Sequence, residues 1–143
     1  GCKAVFKVNY APGTLTAAVY DASGREIGRC ALESASGETR ITADAEKKTA
    51  KPGEVVYVPV TITGENGVVE SNADRKLRVT VENGELLGFG SANPRTEERF
   101  DAGEYTTYYG RALAVVRVGE SGKTGISATD GKETAKAEIT AEA

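Results

Sequence analysis

Few residues in this chain are of types that do chemistry. Glu97 and Glu98 stand side by side, and two carboxylates are the equipment of a glycoside hydrolase, one acting as acid and the other as nucleophile or base. Adjacent residues of an extended segment point to opposite sides, so this pair cannot flank one bond, and both are read as solvated loop charges. The sequence holds no histidine. That removes the side chain that most often serves as a general base near neutral pH or as a metal ligand, and with it every triad built on histidine. Cys2 and Cys30 are too few for a zinc site and lack C-x-x-C spacing. They can form one disulfide, provided their α-carbons lie within about 7 Å, or remain two buried thiols, which is the reading preferred. Asp21, Asp44, Asp74, Asp101 and Asp130 are scattered and make no spaced acidic loop of the EF-hand kind. Gly88, Gly90 and Gly103 are not followed by a helix and form no phosphate-binding loop. These residues imply no catalytic centre, no metal site and no cofactor.

One constellation is left. The stretch from Gly90 to Gly110 carries Phe100, Tyr105, Tyr108 and Tyr109 among Arg95, Glu97, Glu98, Arg99 and Asp101, and it is the longest segment without strand periodicity. Loops of this length are often functional. The aromatic rings could stack on sugar faces while the carboxylates accept hydroxyl hydrogen bonds. Alternatively they pin a long connection onto the body of the protein or onto a neighbouring domain, with their hydroxyls at the wet rim. The second reading is favoured, because function has to be argued from an assembled site and the sequence assembles none.

The elements that position these residues are strands. Almost every apolar segment alternates with period two and none carries a sustained helical stripe, which makes the fold class all-β. Cys2, Ala4, Phe6 and Val8 share one face and predict a first strand. Ala11-Pro12-Gly13 turns the chain, Thr14 to Tyr20 forms a second strand, and Asp21-Ala22-Ser23-Gly24 closes a hairpin into Arg25 to Leu32. Glu33 to Thr39 has no periodicity and reads as a linker. Three strands are too few to enclose a core, so residues 1–39 are expected to be the C-terminal strands of a preceding β-rich domain.

Beyond the linker, strands are expected at Ile41 to Glu46, Glu54 to Thr63, Lys76 to Glu82, Glu85 to Phe89, Arg111 to Val118, Gly125 to Thr129 and Thr134 to Ala141. Inward faces follow from the alternation: Val56, Val58, Val60 and Ile62; Leu77, Val79 and Val81; Ala112, Ala114, Val116 and Val118; Ala135, Ala137, Ile139 and Ala141. The opposite faces are expected to be mostly polar. Seven short strands with Pro52-Gly53, Asn66-Gly67, Asn83-Gly84 and Asp130-Gly131 at their junctions are the pattern of an immunoglobulin-like β-sandwich over residues 40–143. Antibody-type domains are excluded by the missing Cys, Trp, Cys set. Pro59 implies an edge or a bulge within its strand.

Composition bounds the partners. At 143 residues and 39% hydrophobic content, the chain suits one domain plus a remnant of another. A net charge of -3 with interspersed signs supplies no basic stripe for nucleic acid or for an anionic membrane surface, and no apolar run approaches a membrane span. The chain begins at Gly1 without an initiator methionine, which predicts a piece of a larger protein; the compartment, bacterial cytoplasm or beyond it, is not indicated.

Leu86-Leu87-Gly88-Phe89-Gly90-Ser91-Ala92-Asn93-Pro94, then Glu97-Glu98-Arg99-Phe100 and Tyr109-Gly110-Arg111-Ala112-Leu113-Ala114-Val115-Val116-Arg117, resembles the C-terminal region of bacterial glycoside hydrolase family 2 enzymes of the β-galactosidase type. Tyr10-Ala11-Pro12-Gly13-Thr14-Leu15, with Ala18-Val19-Tyr20-Asp21 and Gly24-Arg25-Glu26-Ile27, is similar to the end of the β-rich domain that precedes the last module of those enzymes. Residues 41–83 bear a generic similarity to invasin-like Ig repeats. The resemblance implies a parent that hydrolyses β-linked glycosides with retention, using two glutamates in an upstream barrel; no position here matches them. What it implies for this chain is a non-catalytic accessory module whose partners are the parent's other domains, with a carbohydrate-binding module or an adhesin-type Ig repeat as the alternatives.

Overall fold

A computed structural model of the chain describes residues 3–142. Alternating segments become strands where a partner lies within hydrogen-bonding distance, and from β3 onward each also has a face to bury. In chain order they are β1 (Thr14–Tyr20), β2 (Glu26–Glu33), β3 (Arg40–Ala43), β4 (Thr49–Ala50), β5 (Val55–Thr63), β6 (Lys76–Glu82), β7 (Gly84–Gly90), β8 (Glu104–Thr106), β9 (Arg111–Val118), β10 (Gly122–Thr129) and β11 (Thr134–Ala141). β1 and β2 pair only with each other. The rest form two sheets, in the orders β4-β11-β10-β6-β8 and β3-β5-β9-β7.

The two sheets face one another as an immunoglobulin-like sandwich, and the core is the set of side chains between them. In one sheet the register sets Val56 opposite Val116, Val58 opposite Ala114 and Val60 opposite Ala112. In the other, Ile126 lies opposite Val81 on one side and Ala137 on the other. Val58, Val60, Ile62, Ala114, Val116 and Ile139 are completely buried, and each valine or isoleucine among them is worth about 1.5–3 kcal/mol of transfer free energy. The edges of the first sheet are kept short: β4 has two residues and β8 three, which leaves little backbone there to recruit another strand.

The structure departs from the expectations in several places. The strand expected over residues 2–8 is absent among the described residues, and Phe6 is 82% exposed; alternation alone makes no strand when no neighbour lies alongside to take the backbone hydrogen bonds. Cys30 is exposed on β2, against the buried thiol expected, because neither face of the β1–β2 pair is covered; Cys2, and with it the pairing question, lies outside the described residues. The stretch Gly90 to Gly110 is interrupted by β8, which pairs Leu77 with Tyr105. Pro59 sits in β5, bonded to β9 along its length. Its carbonyl accepts from Asp44 N at 3.1 Å, so the side lacking an N–H faces the place where β3 has ended, and the ladder loses nothing.

Polar side chains tie the segment before β3 to the sandwich. Asn66, in the turn after β5, donates to Glu33 Oε1 at 3.2 Å and Ser34 O at 3.0 Å while its Oδ1 accepts from Ser36 N at 3.1 Å. Glu65 N adds a bond to Ser36 O at 2.8 Å. Arg75 binds Asp130, Glu133 and the Thr39 carbonyl together. The chain thus enters the sandwich beside the β5–β6 connection.

Candidate functional site

The aromatic constellation is divided by the fold. Tyr105 points into the core at 1% exposure, so the ring expected at a surface cannot meet a sugar or a neighbouring domain. Inward alternation of β8 puts it there, opposite Leu77. Phe100 stacks on it from outside, with ring centroids 5.1 Å apart and planes 10° from parallel, and remains 60% exposed. Its backbone is anchored by Phe89 N donating to Phe100 O at 2.8 Å. The ring covers Gly90, where a Cβ would collide with Phe100 Cδ1 and Cε1; glycine here leaves room for the ring.

Tyr108 and Tyr109 lie in the hairpin leading into β9. Tyr108 N donates to Arg111 O at 2.9 Å and Arg111 N to Tyr108 O at 3.2 Å, with Tyr109 at φ 49° and Gly110 at φ 67° between them. Two left-handed residues define a turn that usually selects Asn-Gly. Gly110 is required, because a Cβ would strike the Glu70 carbonyl, and its N–H is held by Asp74 Oδ1 at 2.9 Å. Tyr109 takes the left-handed conformation at a cost that glycine or asparagine would avoid. Its ring meets that of Tyr108 edge-on at 4.5 Å, and the neighbouring Tyr109 phenol raises the Tyr108 pKa above the ordinary phenol value.

Between Phe100 and this hairpin runs an open groove of about 910 Å³ on the outer face of β7 and β9, floored by Gly88, Gly90, Leu113 and Val115. The floor continues across the sheet, since Tyr57 is the cross-strand partner of Val115 and Pro59 of Leu113. Val55, Tyr57 and Leu113 are 41%, 46% and 40% exposed. This face is therefore apolar where a polar one was expected. The opposite sheet carries Arg78, Thr80, Glu82, Lys123, Lys136 and Glu138 on its exterior, as a solvated sandwich should. The signal was present in Val-Val-Tyr-Val-Pro-Val, a run apolar on both faces of its strand.

The groove lacks the parts of an active site. Glu98 is not the solvated loop charge expected: its carboxylate accepts from Thr106 N at 3.1 Å and Thr106 Oγ1 at 2.9 Å, pinning the loop to β8. Glu97 is exposed. Glu104 is bound to Arg78, whose hydrogen bond holds its carboxyl below the usual range, and Asp101 is similarly lowered by Arg99. No two carboxylates face one another across the groove, and among the described residues no three Cys, Asp or Glu side chains converge on a common point.

Known proteins resemble the chain over nearly its whole length. The model of the glycoside hydrolase family 2 C-terminal domain 5 matches residues 39–140. The β-galactosidase BoGH2A of Bacteroides ovatus is 30% identical over 142 residues, 96% of this chain but 17% of that protein. A solved glycosyl hydrolase family 2 member from Bacteroides cellulosilyticus superposes with a TM-score of 0.83 at 29% identity, over 95% of this chain and 18% of its own. A β-glycosidase from Bacteroides vulgatus, 23% identical, shares the fold with a TM-score of 0.78 over 93% of this chain and 18% of its own. The chain thus spans about a sixth of the relatives it matches, and the family model covers residues 39–140 of it. It belongs to the glycoside hydrolase family 2 C-terminal domain 5 family.

Proposed function

We propose that this chain is a non-catalytic C-terminal accessory module of a glycoside hydrolase family 2 enzyme of the β-galactosidase type, and that the parent hydrolyses β-glycosidic bonds with retention on an upstream barrel. Residues 1–39 are then the last strands of the preceding β-rich domain and residues 40–143 the module itself. One observation carries the reading: the chain matches its relatives almost end to end while covering only 17–18% of two of them, and its groove is lined by no carboxylate among the described residues. The module's partners are the other domains of the parent, whose architecture it supports. The test is to assay this chain beside the full-length parent on a chromogenic β-galactoside. The parent is expected to turn over and the chain is not; turnover by the rigorously purified chain, or none by the parent, overturns the proposal.

A further inference from the structure

The outer face of the β3-β5-β9-β7 sheet is built for a protein contact. Tyr57, Leu113, Val115, Phe100 and Tyr109 form a continuous apolar surface there, and a contiguous patch of this kind on a soluble protein marks an interaction site. Two features of the backbone favour the patch over a solvated alternative. Gly90 withholds a side chain so that Phe100 can lie on it, and Tyr109 holds a left-handed conformation while its ring stays 57% exposed. Strain maintained at an exposed aromatic is strain for which the isolated fold shows no return.

The position of the face identifies what covers it. Arg75 donates to the Thr39 carbonyl at 3.0 Å and exchanges hydrogen bonds with Thr107 at 2.9 Å, backbone N to Oγ1 and backbone O to N. The residue at which the chain enters the sandwich is thus one arginine away from the residue preceding Tyr108 and Tyr109. Residues 3–39, which lead into the module beside the aromatic rim, leave the groove itself open, and in the relatives more than four-fifths of the polypeptide lies outside the matched portion. A tethered domain meets this face at an effective concentration of order millimolar, which a free second copy does not reach. A sugar is disfavoured by the lining: polar side chains are confined to Ser71, Ser91, Arg111 and the two phenols, while Leu113 and Val115 supply a knobbed aliphatic floor where a saccharide would need convergent hydroxyl partners.

We infer that this face is the seat on which the preceding part of the same polypeptide docks, with Tyr57, Leu113 and Phe100 at its centre and Tyr109 and Arg111 at its rim. The inference rests on the accessory-module reading and adds the surface by which the module is held. Carbene footprinting of the full-length parent and of this 143-residue chain tests it. Peptides containing Tyr57, Phe100 and Leu113 are expected to be labelled about tenfold less in the parent, as a desolvated interface centre excludes reagent together with water, while the peptide Lys132–Ala137 on the opposite sheet is labelled equally. Equal labelling of the aromatic face in both proteins overturns the inference. So does protection that appears in the chain alone on raising its concentration, which assigns the face to self-association, or on adding galacto-oligosaccharide, which assigns it to sugar. As a second arm, Tyr57→Asp/Leu113→Asp in the parent is expected to restore labelling at Phe100; both positions are exposed in the chain, so the sandwich itself does not need them. A parent that hydrolyses no glycoside overturns the proposed function but leaves the footprint readable.

Discussion

Arg75 donates to the backbone carbonyl of Thr39 at 3.0 Å across thirty-six residues of sequence, and its other terminal nitrogen meets Asp130 at 3.3 Å and Glu133 at 3.2 Å. One planar guanidinium therefore joins the entry to the sandwich, the β5–β6 connection and the β10–β11 turn. Its side chain is 25% exposed, so these bonds are partly shielded from water. Removing the cation leaves two neighbouring carboxylates without their shared partner. Arg75→Ala is expected to lower the unfolding free energy by about 2 kcal/mol, the scale of hydrogen bonds to charged groups, read as a shift in urea midpoint at constant slope. Arg75→Lys is expected to recover less than half, because a point charge cannot reach three acceptors in one plane.

Thr63 is buried at 4% exposure, and its Oγ1 finds no hydrogen-bond partner among the described residues. A buried hydroxyl left unpaired forfeits its solvation, and valine has nearly the same shape without that group. Thr63→Val should raise stability by about 1 kcal/mol. Denaturant unfolding checks this, and a midpoint at or below the wild type would mean that the hydroxyl is paired in solution.

Much of this was legible in the sequence, because a sandwich buries every second residue and valine and isoleucine mark those positions. All seven strands expected after the linker are present, with ends moved by up to three residues. β4 and β8, at two and three residues, are too short to show a period. The strand expected over residues 2–8 failed for the converse reason: Ala4, Phe6 and Val8 alternate, but pairing is decided by a neighbour that alternation cannot report. The site was less legible. Tyr105 and Phe100 look equivalent in sequence, yet β8 sends one ring inward and leaves the other outside it. Tyr57, Leu113 and Val115 lie between core positions, where alternation alone predicts polar residues, and only their apolar types mark the outer face.

Gly90 and Phe100 should be energetically coupled. An alanine methyl at residue 90 would occupy the space of the Phe100 ring, and that ring is held by its stack on Tyr105 and by the bond from Phe89 N to Phe100 O. Gly90→Ala alone is expected to cost about 1–2 kcal/mol by displacing the ring. In a Phe100→Ala background the same change should cost almost nothing, giving a coupling of at least about 1 kcal/mol in a double-mutant cycle. Additive effects would mean that the ring does not rest on Gly90.

Acid should unfold the sandwich through carboxylates whose native pKa values are depressed. Backbone N–H groups of Glu133 and Lys132 lower that of Asp130, the hydrogen bond from Arg78 lowers that of Glu104, and that from Lys47 lowers that of Glu54. A depressed native value means that the unfolded chain binds more protons, so these groups contribute stability above their ordinary values and lose it as pH falls through the native ones. Glutamate and aspartate start from 4.5 and 3.8, so the urea midpoint is expected to be flat from pH 7 to about pH 5 and to drop below that. Glu54 and Glu104 are exposed enough for salt to screen them. Asp130, with a side chain 17% exposed, should dominate, and Asp130→Asn should flatten the acid limb while lowering the midpoint at pH 7.

Asn66 acts on geometry more than on stability. Its amide donates to Glu33 and to the Ser34 carbonyl and accepts from Ser36 N, so it holds the segment between β2 and β3 against the turn after β5. The side chain is exposed and contributes nothing to the core. Asn66→Ala should therefore change the unfolding midpoint by less than about 0.5 kcal/mol equivalent. It should nevertheless free the segment locally, because the bonds left are those from Glu65 N to Ser36 O at 2.8 Å and, at the start of β3, from Arg40 to the Glu65 carbonyl at 3.0 Å, and proteolysis follows local opening even when global stability is unchanged. Cleavage after Glu33 and Glu38 by a glutamate-specific protease is the readout, with several-fold faster cutting expected in the variant and unchanged cutting elsewhere. Asn66→Asp should behave like the alanine variant, since a carboxylate cannot donate to the Ser34 carbonyl and would face Glu33 with like charge. If neither variant accelerates cleavage, the β1–β2 pair is positioned by backbone contacts alone, and Asn66 has no part in setting its angle to the sandwich.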